Sequence, residues 1–248
     1  MRQVLLVTGG ATGIGAATVL LAAKRGFAVC VNYRESEAAA NALVSSIIAG
    51  GGSALAVQAD VGLEQDVVRL FATMDRELGT LTALVNNAGM LERQCRVEDI
   101  TADRLSRLLR TNVIGSFLCC REAVHRMSTK RGGNGGTIVN VSSAAARLGA
   151  AGEYVDYAAS KGAMDSLTIG LAGEVAGEGI RVNGVRPAFI ETEIHAKGGE
   201  PGRLARVRES IPLKRSGKVE EAAAAILWLL SAESSYTTGS FIEVAGGK

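Results

Sequence analysis

The chain has 248 residues, of which 47% are hydrophobic and 21% charged, and its formal net charge is +2. This length allows a large buried core and favours one domain over residues 1–248. Because positive and negative side chains are interspersed, nothing indicates a nucleic-acid-binding surface. No apolar run reaches membrane-spanning length, and the first strand pattern leaves no room for a signal peptide. We therefore expect a cytoplasmic protein without nucleic-acid or membrane partners.

Cysteine and histidine usage gives no metal-binding pattern. The four cysteines have no CxxC spacing, and the chain has two histidines. We predict reduced, buried cysteines that serve packing, and no metal site. The residues concerned are Cys30, Cys95, Cys119, Cys120, His125 and His195.

Short apolar runs alternate with helical stretches along the chain. The predicted strands are residues 4–7, 28–32, 54–58, 83–86, 136–142, 180–186 and 241–244. The predicted helices are residues 13–25, 35–49, 63–78, 101–128, 157–176 and 219–230. The strand runs are continuously apolar, as expected of strands that are covered on both faces. The pattern predicts an α/β Rossmann fold, with a doubly wound, parallel, seven-stranded sheet and helices on both faces.

The first predicted strand leads through a glycine-rich turn, TGGATGIG at residues 8–15, into the first predicted helix. Glycine lets the backbone turn tightly and approach phosphates, while the free N–H groups of a new helix attract an anion. The TGxxxGIG spacing differs from the common GxGxxG fingerprint, but the strand–turn–helix order suits a dinucleotide. We predict that a pyrophosphate binds here, with contacts from Gly9, Thr12, Gly13, Ile14 and Gly15.

Tyr157 and Lys161 lie one helical turn apart, so their side chains leave the same face of a predicted helix. A tyrosine hydroxyl ordinarily titrates near pH 10, and a neighbouring ammonium favours the ionised phenol. We therefore expect Lys161 to lower the pKa of Tyr157. This pair predicts a general acid or base for proton transfer.

Ser143 and Asn112 are two further candidates. Ser143 follows a predicted strand, at the carboxyl edge where ligands bind in such sheets, and could hold a substrate oxygen. Asn112 falls inside a predicted helix, where asparagine is unfavourable, which indicates a local distortion or a water site. Taken singly, each candidate has an ordinary structural interpretation. Tyr157 could be a helix-face residue and Lys161 a solvated charge. Ser143 could be a strand terminus and Asn112 a capping group.

The segment at residues 191–218 holds two of the three prolines and several glycines, and it lies between sheet strands. Its position predicts a mobile lid over the carboxyl edge rather than a linker between domains.

Together these motifs resemble the short-chain dehydrogenase/reductase family over essentially the full chain. The resemblance rests on TGxxxGIG, on NNAG at residues 86–89 and on YAASK at residues 157–161, with Asn112 and Ser143. It implies that Tyr157 exchanges a proton with the substrate and that Lys161 holds the nicotinamide ribose and lowers the tyrosine pKa. It also implies that Ser143, rather than Ser142, polarises the carbonyl, and that Asn112 anchors a water.

The resemblance also implies a nicotinamide cofactor. Members that prefer NAD usually end the second strand with Asp, whereas this chain has Tyr33 and Arg34, next to Asn32 and followed by Glu35. An arginine can bind a ribose 2′-phosphate, so NADP(H) is favoured, with NAD(H) as the second candidate. The other implied cofactor contacts are Asp60, Val61, Asn87, Ala88, Gly89, Tyr157, Lys161, Pro187, Ile190 and Thr192. Ala188 replaces the glycine that commonly follows this proline.

These observations predict reversible hydride transfer between NADP(H) and a small carbonyl or secondary alcohol. Acyl-carrier-protein reductases are the nearest functional neighbours, although many carry Arg where this chain has Gly173. A sugar or polyol dehydrogenase is the alternative, suggested by the VNYRE stretch and a polar lid with His195, Lys197, Arg203 and Arg206. A protein that senses NADP(H) without turnover is the alternative from another class. The resemblance implies a homotetramer.

Overall fold

The computed structural model describes residues 3–248, so the first two residues of the predicted 1–248 domain lie outside the described part. Seven strands form one parallel sheet in the order β3-β2-β1-β4-β5-β6-β7, which confirms the predicted fold. The strands are β1 Val4–Val7, β2 Ala28–Tyr33, β3 Ser53–Gln58, β4 Ala83–Asn86, β5 Gly136–Val141, β6 Ile180–Pro187 and β7 Phe241–Val244. The α-helices are α1 Gly13–Lys24, α2 Glu37–Ala49, α3 Glu64–Leu78, α4 Ala102–Leu109, α5 Gly115–Met127, α6 Ala145–Leu148, α7 Val155–Val175, α8 Ile194–Lys197, α9 Arg203–Val207 and α10 Val219–Leu230.

The sheet is buried on both faces, which explains why its strands are continuously apolar. One hydrophobic cluster joins alternate strand residues such as Leu6 and Leu84 to helices α3, α5 and α7. A second cluster, on the opposite face, joins the adjacent residues of the same strands, such as Leu5 and Val85, to helices α1, α2 and α10. None of the helices within residues 3–248 is long and apolar enough to cross a membrane.

The prediction of one continuous helix over residues 101–128 is wrong. The chain forms α4, then a π-helical turn at Arg110–Ile114, then α5. Asn112 lies in this turn, fully buried, and its side chain bonds to the backbone of Met90 instead of facing solvent. The distortion that an asparagine indicated is therefore present, and within it Asn112 contacts the loop after β4.

Other boundaries differ by a few residues. Helix α7 begins at Val155, two residues before the prediction. The Asp156 carboxylate accepts the Tyr157 N–H at 2.8 Å and the Arg104 Nε–H at 2.6 Å, so a buried ion pair joins the start of α7 to α4. The predicted lid contains two short helices, α8 and α9. Cys95 is only half-buried, whereas the other three cysteines are buried as predicted.

The glycine turn packs tightly against the end of β4. Gly9 and Gly13 have φ values of +58° and +54°, which L side chains rarely adopt. A Cβ on Gly15 would lie 2.6 Å from Nδ2 of Asn87 and would also collide with the Gly9 carbonyl oxygen. Gly15 therefore serves the packing of α1 onto the turn, where no side chain fits.

We expect Gly15→Ala to lower the free energy of unfolding by about 1–3 kcal/mol, because the added methyl group must displace backbone. Gly173→Ala is the matched control: it is an exposed helical glycine with nothing within 4 Å of an added Cβ, and it should raise stability by about 0.5–1 kcal/mol. Urea unfolding of both variants measures the difference. Equal effects would contradict the packing role of Gly15.

Candidate active site

Three adjoining cavities lie along the carboxyl edge of the sheet, where α/β folds bind ligands. A cofactor cavity of about 240 Å³ opens over the ends of β1, β4, β5 and β6. A ribose cavity of about 170 Å³ extends from it past the end of β2 and shares Gly9, Thr12 and Gly89. A third cavity of about 180 Å³ lies on the other side, and Ser143, Tyr157 and His195 are among the residues that it shares with the first. We call it the substrate cavity.

The structure places almost all predicted cofactor residues in the first two cavities. The cofactor cavity is lined by Gly9, Thr12, Gly13, Ile14, Asn87, Ala88, Gly89, Tyr157, Lys161, Pro187, Ile190 and Thr192. The ribose cavity is lined by Asn32, Tyr33, Arg34, Asp60 and Val61. Gly15 lines neither cavity because it lies beneath the turn.

The shape of the turn fits a dinucleotide. Thr12, the N-cap of α1, makes no side-chain hydrogen bond to the helix. The first backbone N–H groups of α1 therefore remain available to a phosphate. Gly89 lies close to the Lys161 amine: a Cβ there would be 3.5 Å from Nζ of Lys161, an ordinary van der Waals contact.

Three polar residues hold the turn in place through hydrogen bonds to the backbone. Thr8 accepts the backbone N–H groups of Asn87 and Ala88, each at 3.0 Å. The Asn87 amide donates to the carbonyls of Thr8 and Gly9, and Asn32 accepts the Gly9 N–H at 3.2 Å. Sequence reasoning missed Thr8, although a hydroxyl directly after a buried strand is a signal for this role.

Tyr157 is partly open to the cofactor cavity, but its phenol lies deep enough that burial raises its pKa. A hydrogen bond with Ser143 and the charge of Arg203 oppose this shift. The pKa of Tyr157 is therefore raised, not lowered as expected, and Lys161 is not among the groups that oppose the shift. The Lys161 Nζ atom lies 5.7 Å from the centre of the Tyr157 ring.

Lys161 is buried, and its Nζ atom donates to the Val141 carbonyl at 2.7 Å. Burial lowers the pKa of this amine to about 8, against a smaller opposing effect of the Asp165 charge. The amine can therefore gain or lose a proton close to neutral pH, which suits a group in a proton relay.

The two neighbouring serines have different surroundings. The Ser142 hydroxyl donates to the Lys161 carbonyl at 3.2 Å, so it anchors α7 to β5. Ser143 lines both the cofactor and the substrate cavities beside Tyr157. The structure thus brings Ser143, the predicted serine, to the phenol.

Asn112 connects the site to its supports. Its amide donates to the Ser160 hydroxyl at 3.0 Å, and that hydroxyl donates to the Tyr157 carbonyl at 2.7 Å. Its side-chain oxygen accepts the Met90 N–H at 2.8 Å. The amide is therefore used to position α7 and the loop after β4, and the predicted water contact stays a prediction.

Comparisons with known proteins show the family of the chain. A family model described as enoyl-(acyl carrier protein) reductase matches residues 9–248. The uncharacterized oxidoreductase YgfF of Escherichia coli strain K12 is 59% identical over 245 residues, covering 99% of each chain. The 3-oxoacyl-(acyl-carrier-protein) reductase of Synechocystis is 38% identical over 251 residues, covering 99% of this chain and 96% of the relative.

A solved structure shows the same fold. The 3-ketoacyl-(acyl-carrier-protein) reductase of Brucella melitensis, crystallised with NADH, matches with a TM-score of 0.91 at 31% identity, covering 99% of this chain and 97% of that chain. Fold, site and relatives define a nicotinamide-dependent oxidoreductase. The chain belongs to the short-chain dehydrogenase/reductase family.

The depressed pKa of Lys161 predicts a pH-dependent stability. Between about pH 8 and 10.5 the unfolded chain retains a proton that the folded protein has released. Stability of the wild type should therefore rise relative to Lys161→Met across this window, by about 1.4 kcal/mol per pH unit. Below pH 8 both states carry the proton, and the difference should be constant. Urea unfolding of both proteins at intervals from neutral to alkaline pH measures it, and parallel profiles would contradict a buried, desolvated amine.

Proposed function

We propose that the protein reduces a small carbonyl compound, or oxidises the corresponding secondary alcohol, with NADP(H). One observation carries the proposal: Tyr157, Ser143 and Lys161 meet where the cofactor cavity adjoins the substrate cavity. A protein that only sensed the dinucleotide would not need a buried phenol and amine at this junction. The carbonyl or alcohol class follows from the groups available, which can hold and protonate an oxygen.

The proposed mechanism assigns a task to each side chain. The bound nicotinamide supplies or accepts the hydride at the substrate carbon. Ser143 donates a hydrogen bond to the substrate oxygen, and Tyr157 gives that oxygen its proton during reduction. The raised pKa of Tyr157 keeps the phenol protonated at neutral pH, ready to act as an acid. Lys161 binds the nicotinamide ribose and, with its pKa near 8, returns a proton towards Tyr157.

Tyr157→Phe should lower kcat by about 10²- to 10⁴-fold, because it removes the acid but no other part of the site. NADPH affinity, followed by nucleotide fluorescence, should stay almost unchanged. Tyr154→Phe is the matched comparison: its hydroxyl donates to the Gly198 carbonyl at 3.1 Å, and its loss should change kcat by less than about tenfold. Retained turnover in Tyr157→Phe would refute the assignment.

The preference for NADP(H) rests on the ribose cavity. Residues 33 and 34 provide no carboxylate, and the half-exposed Arg34 can reach a 2′-phosphate. Arg34 binds the neighbouring Glu35 at 2.5 Å, so the phosphate must replace this partner. NADP(H) is therefore the proposed cofactor, and NAD(H) is a weaker one.

Arg34→Ala should weaken NADPH binding by about 10- to 100-fold, because it removes charge-assisted hydrogen bonds, while NADH affinity changes little. Glu35→Gln is the opposite test. It removes both the competing partner and a negative charge, and should strengthen NADPH binding by about threefold. The dissociation constants of NADPH and NADH, measured for both variants, test these expectations. An equal loss of affinity for the two nucleotides in Arg34→Ala would exclude a role of Arg34 in binding the 2′-phosphate.

We propose further that the protein works as a homotetramer in the cytoplasm. The support is an exposed apolar surface on α5, α7 and the π-helical turn, which we call the α5–α7 face; it includes Ile114, Phe117 and Ile169, each about half exposed. A groove of about 760 Å³ runs along the same helices. Surfaces of this kind commonly mark contacts between proteins.

Light scattering after size exclusion should give a mass four times that of the 25.6 kDa chain. Phe117→Glu places a charge on the α5–α7 face and should reduce this mass, because an unpaired charge is costly to bury. Ile48→Glu, at a similarly exposed residue on α2, should leave it unchanged. A monomeric wild type would refute the tetramer.

A further inference from the structure

The substrate cavity has a largely apolar lining that is interrupted by polar side chains, among them His195 and Arg203. Much of its wall is hydrocarbon or aromatic, from Leu91, Ala144, Ala145, Leu148, Ala150, Phe189 and Ile194. Two side chains in the wall, His195 and Arg203, each carry a buried nitrogen that has no hydrogen-bond partner within residues 3–248. Buried polar atoms are normally paired, so unpaired nitrogens in two side chains that line one cavity are atoms that a bound molecule can pair.

His195 presents an acceptor. Its Nε2 atom lies 2.9 Å from the Ile190 carbonyl oxygen, and a carbonyl can only accept, so Nε2 carries the proton. Burial lowers the pKa of the ring, which keeps it neutral at pH 7. In this tautomer the unpaired Nδ1 atom accepts a hydrogen bond and cannot donate one.

Arg203 presents a donor. Its guanidinium lies 4.7 Å from the centre of the Tyr154 ring and 5.4 Å from that of Phe189, and it donates to Glu153 at 2.6 Å. These contacts fix its position. The unpaired Nε–H is therefore held in place as a hydrogen-bond donor.

The wall around Arg203 has no net charge. Glu153 binds both Arg203 and Arg206, and Arg206 also binds Glu200 at 2.5 Å. Two carboxylates thus balance two guanidinium groups. An anionic substrate would gain no net attraction here, and its carboxylate would have no proton to offer the His195 acceptor.

We propose that His195 and Arg203 recognise a neutral hydroxyl group of the substrate, carried on a carbon close to the reacting carbonyl. One hydroxyl can donate to Nδ1 of His195 and accept from Nε–H of Arg203, which pairs both buried atoms. The substrates are then small hydroxyketones, and the corresponding alcohols are diols or larger polyols. This inference rests on the proposed function, since Tyr157 and Ser143 line the same cavity; the recognised hydroxyl binds and does not itself react.

Matched ketones test the preference in the wild type with NADPH. The pairs are 3-hydroxy-2-butanone against 3-methyl-2-butanone, and 4-hydroxy-2-butanone against 2-pentanone, with 3-oxobutanoate as the anionic analogue. We expect kcat/KM of at least one hydroxyketone to exceed that of its partner and of 3-oxobutanoate by about tenfold or more. Equal values, or a preference for the oxo acid, would overturn the inference.

Variants connect the preference to the two side chains. Arg203→Met and His195→Leu should each reduce the hydroxyketone-to-ketone ratio to within about threefold, because each removes one partner of the hydroxyl. Arg208→Met is the control, since Arg208 lies in the same lid but outside the substrate cavity, and it should keep the wild-type ratio. Thermal unfolding confirms that the variants fold. An unchanged ratio in both folded variants would refute the assignment.

A binding measurement separates this inference from the proposed function. Calorimetry on the Tyr157→Phe protein with NADP should show butane-2,3-diol binding at least about tenfold more tightly than 2-butanol. If no ketone is turned over but this difference appears, the recognition site stands and the proposed reaction fails. If all the ketones are turned over equally and the two alcohols bind equally, the reaction stands and the recognition site fails.

Discussion

The site depends on the close contact between the glycine turn after β1 and the loop after β4. These two strands are neighbours in the sheet although a long stretch of chain separates them. Thr8 and Asn87 satisfy each other's backbone groups across the junction. The backbone packs so closely around Gly15 that no side chain fits there, so hydrogen bonds and packing within the protein hold the two loops against each other.

Burial also determines the chemistry of the two titratable groups beside that cradle. Desolvation favours the neutral form of each group, which raises the pKa of Tyr157 and lowers that of Lys161. The folded chain therefore presents a protonated phenol and an amine that titrates close to neutral pH. Burial therefore acts in opposite directions on the two pKa values: it keeps the phenol protonated, and it brings only the amine closer to neutral pH.

The sequence predicted the features that depend on a local residue pattern. Continuous apolar runs indicated a sheet covered on both faces, and one-turn spacing placed Tyr157 and Lys161 together. It failed where distant contacts matter: Asn112 in the π-helical turn bonds to Met90 in the loop after β4. Likewise, burial raises the pKa of Tyr157 against the hydrogen bond with Ser143 and the charge of Arg203. The ion pairs of Glu153 with Arg203 and Arg206 join residues about fifty positions apart, which no local pattern indicates.

Those ion pairs connect helix α9 to the start of α7, on which the proposed acid Tyr157 lies. Glu153 and Tyr154 directly precede α7, where Tyr157 lies, and both contact Arg203 in the lid helix α9. Asp156, at the start of the same helix, is held by Arg104. The segment that carries Tyr157 is therefore tied to α9 through Glu153 and Tyr154, and to α4 through Asp156. Because Arg203 contacts residues three and four positions before Tyr157, a substitution of Arg203 that repacks this contact acts on the segment that positions the phenol.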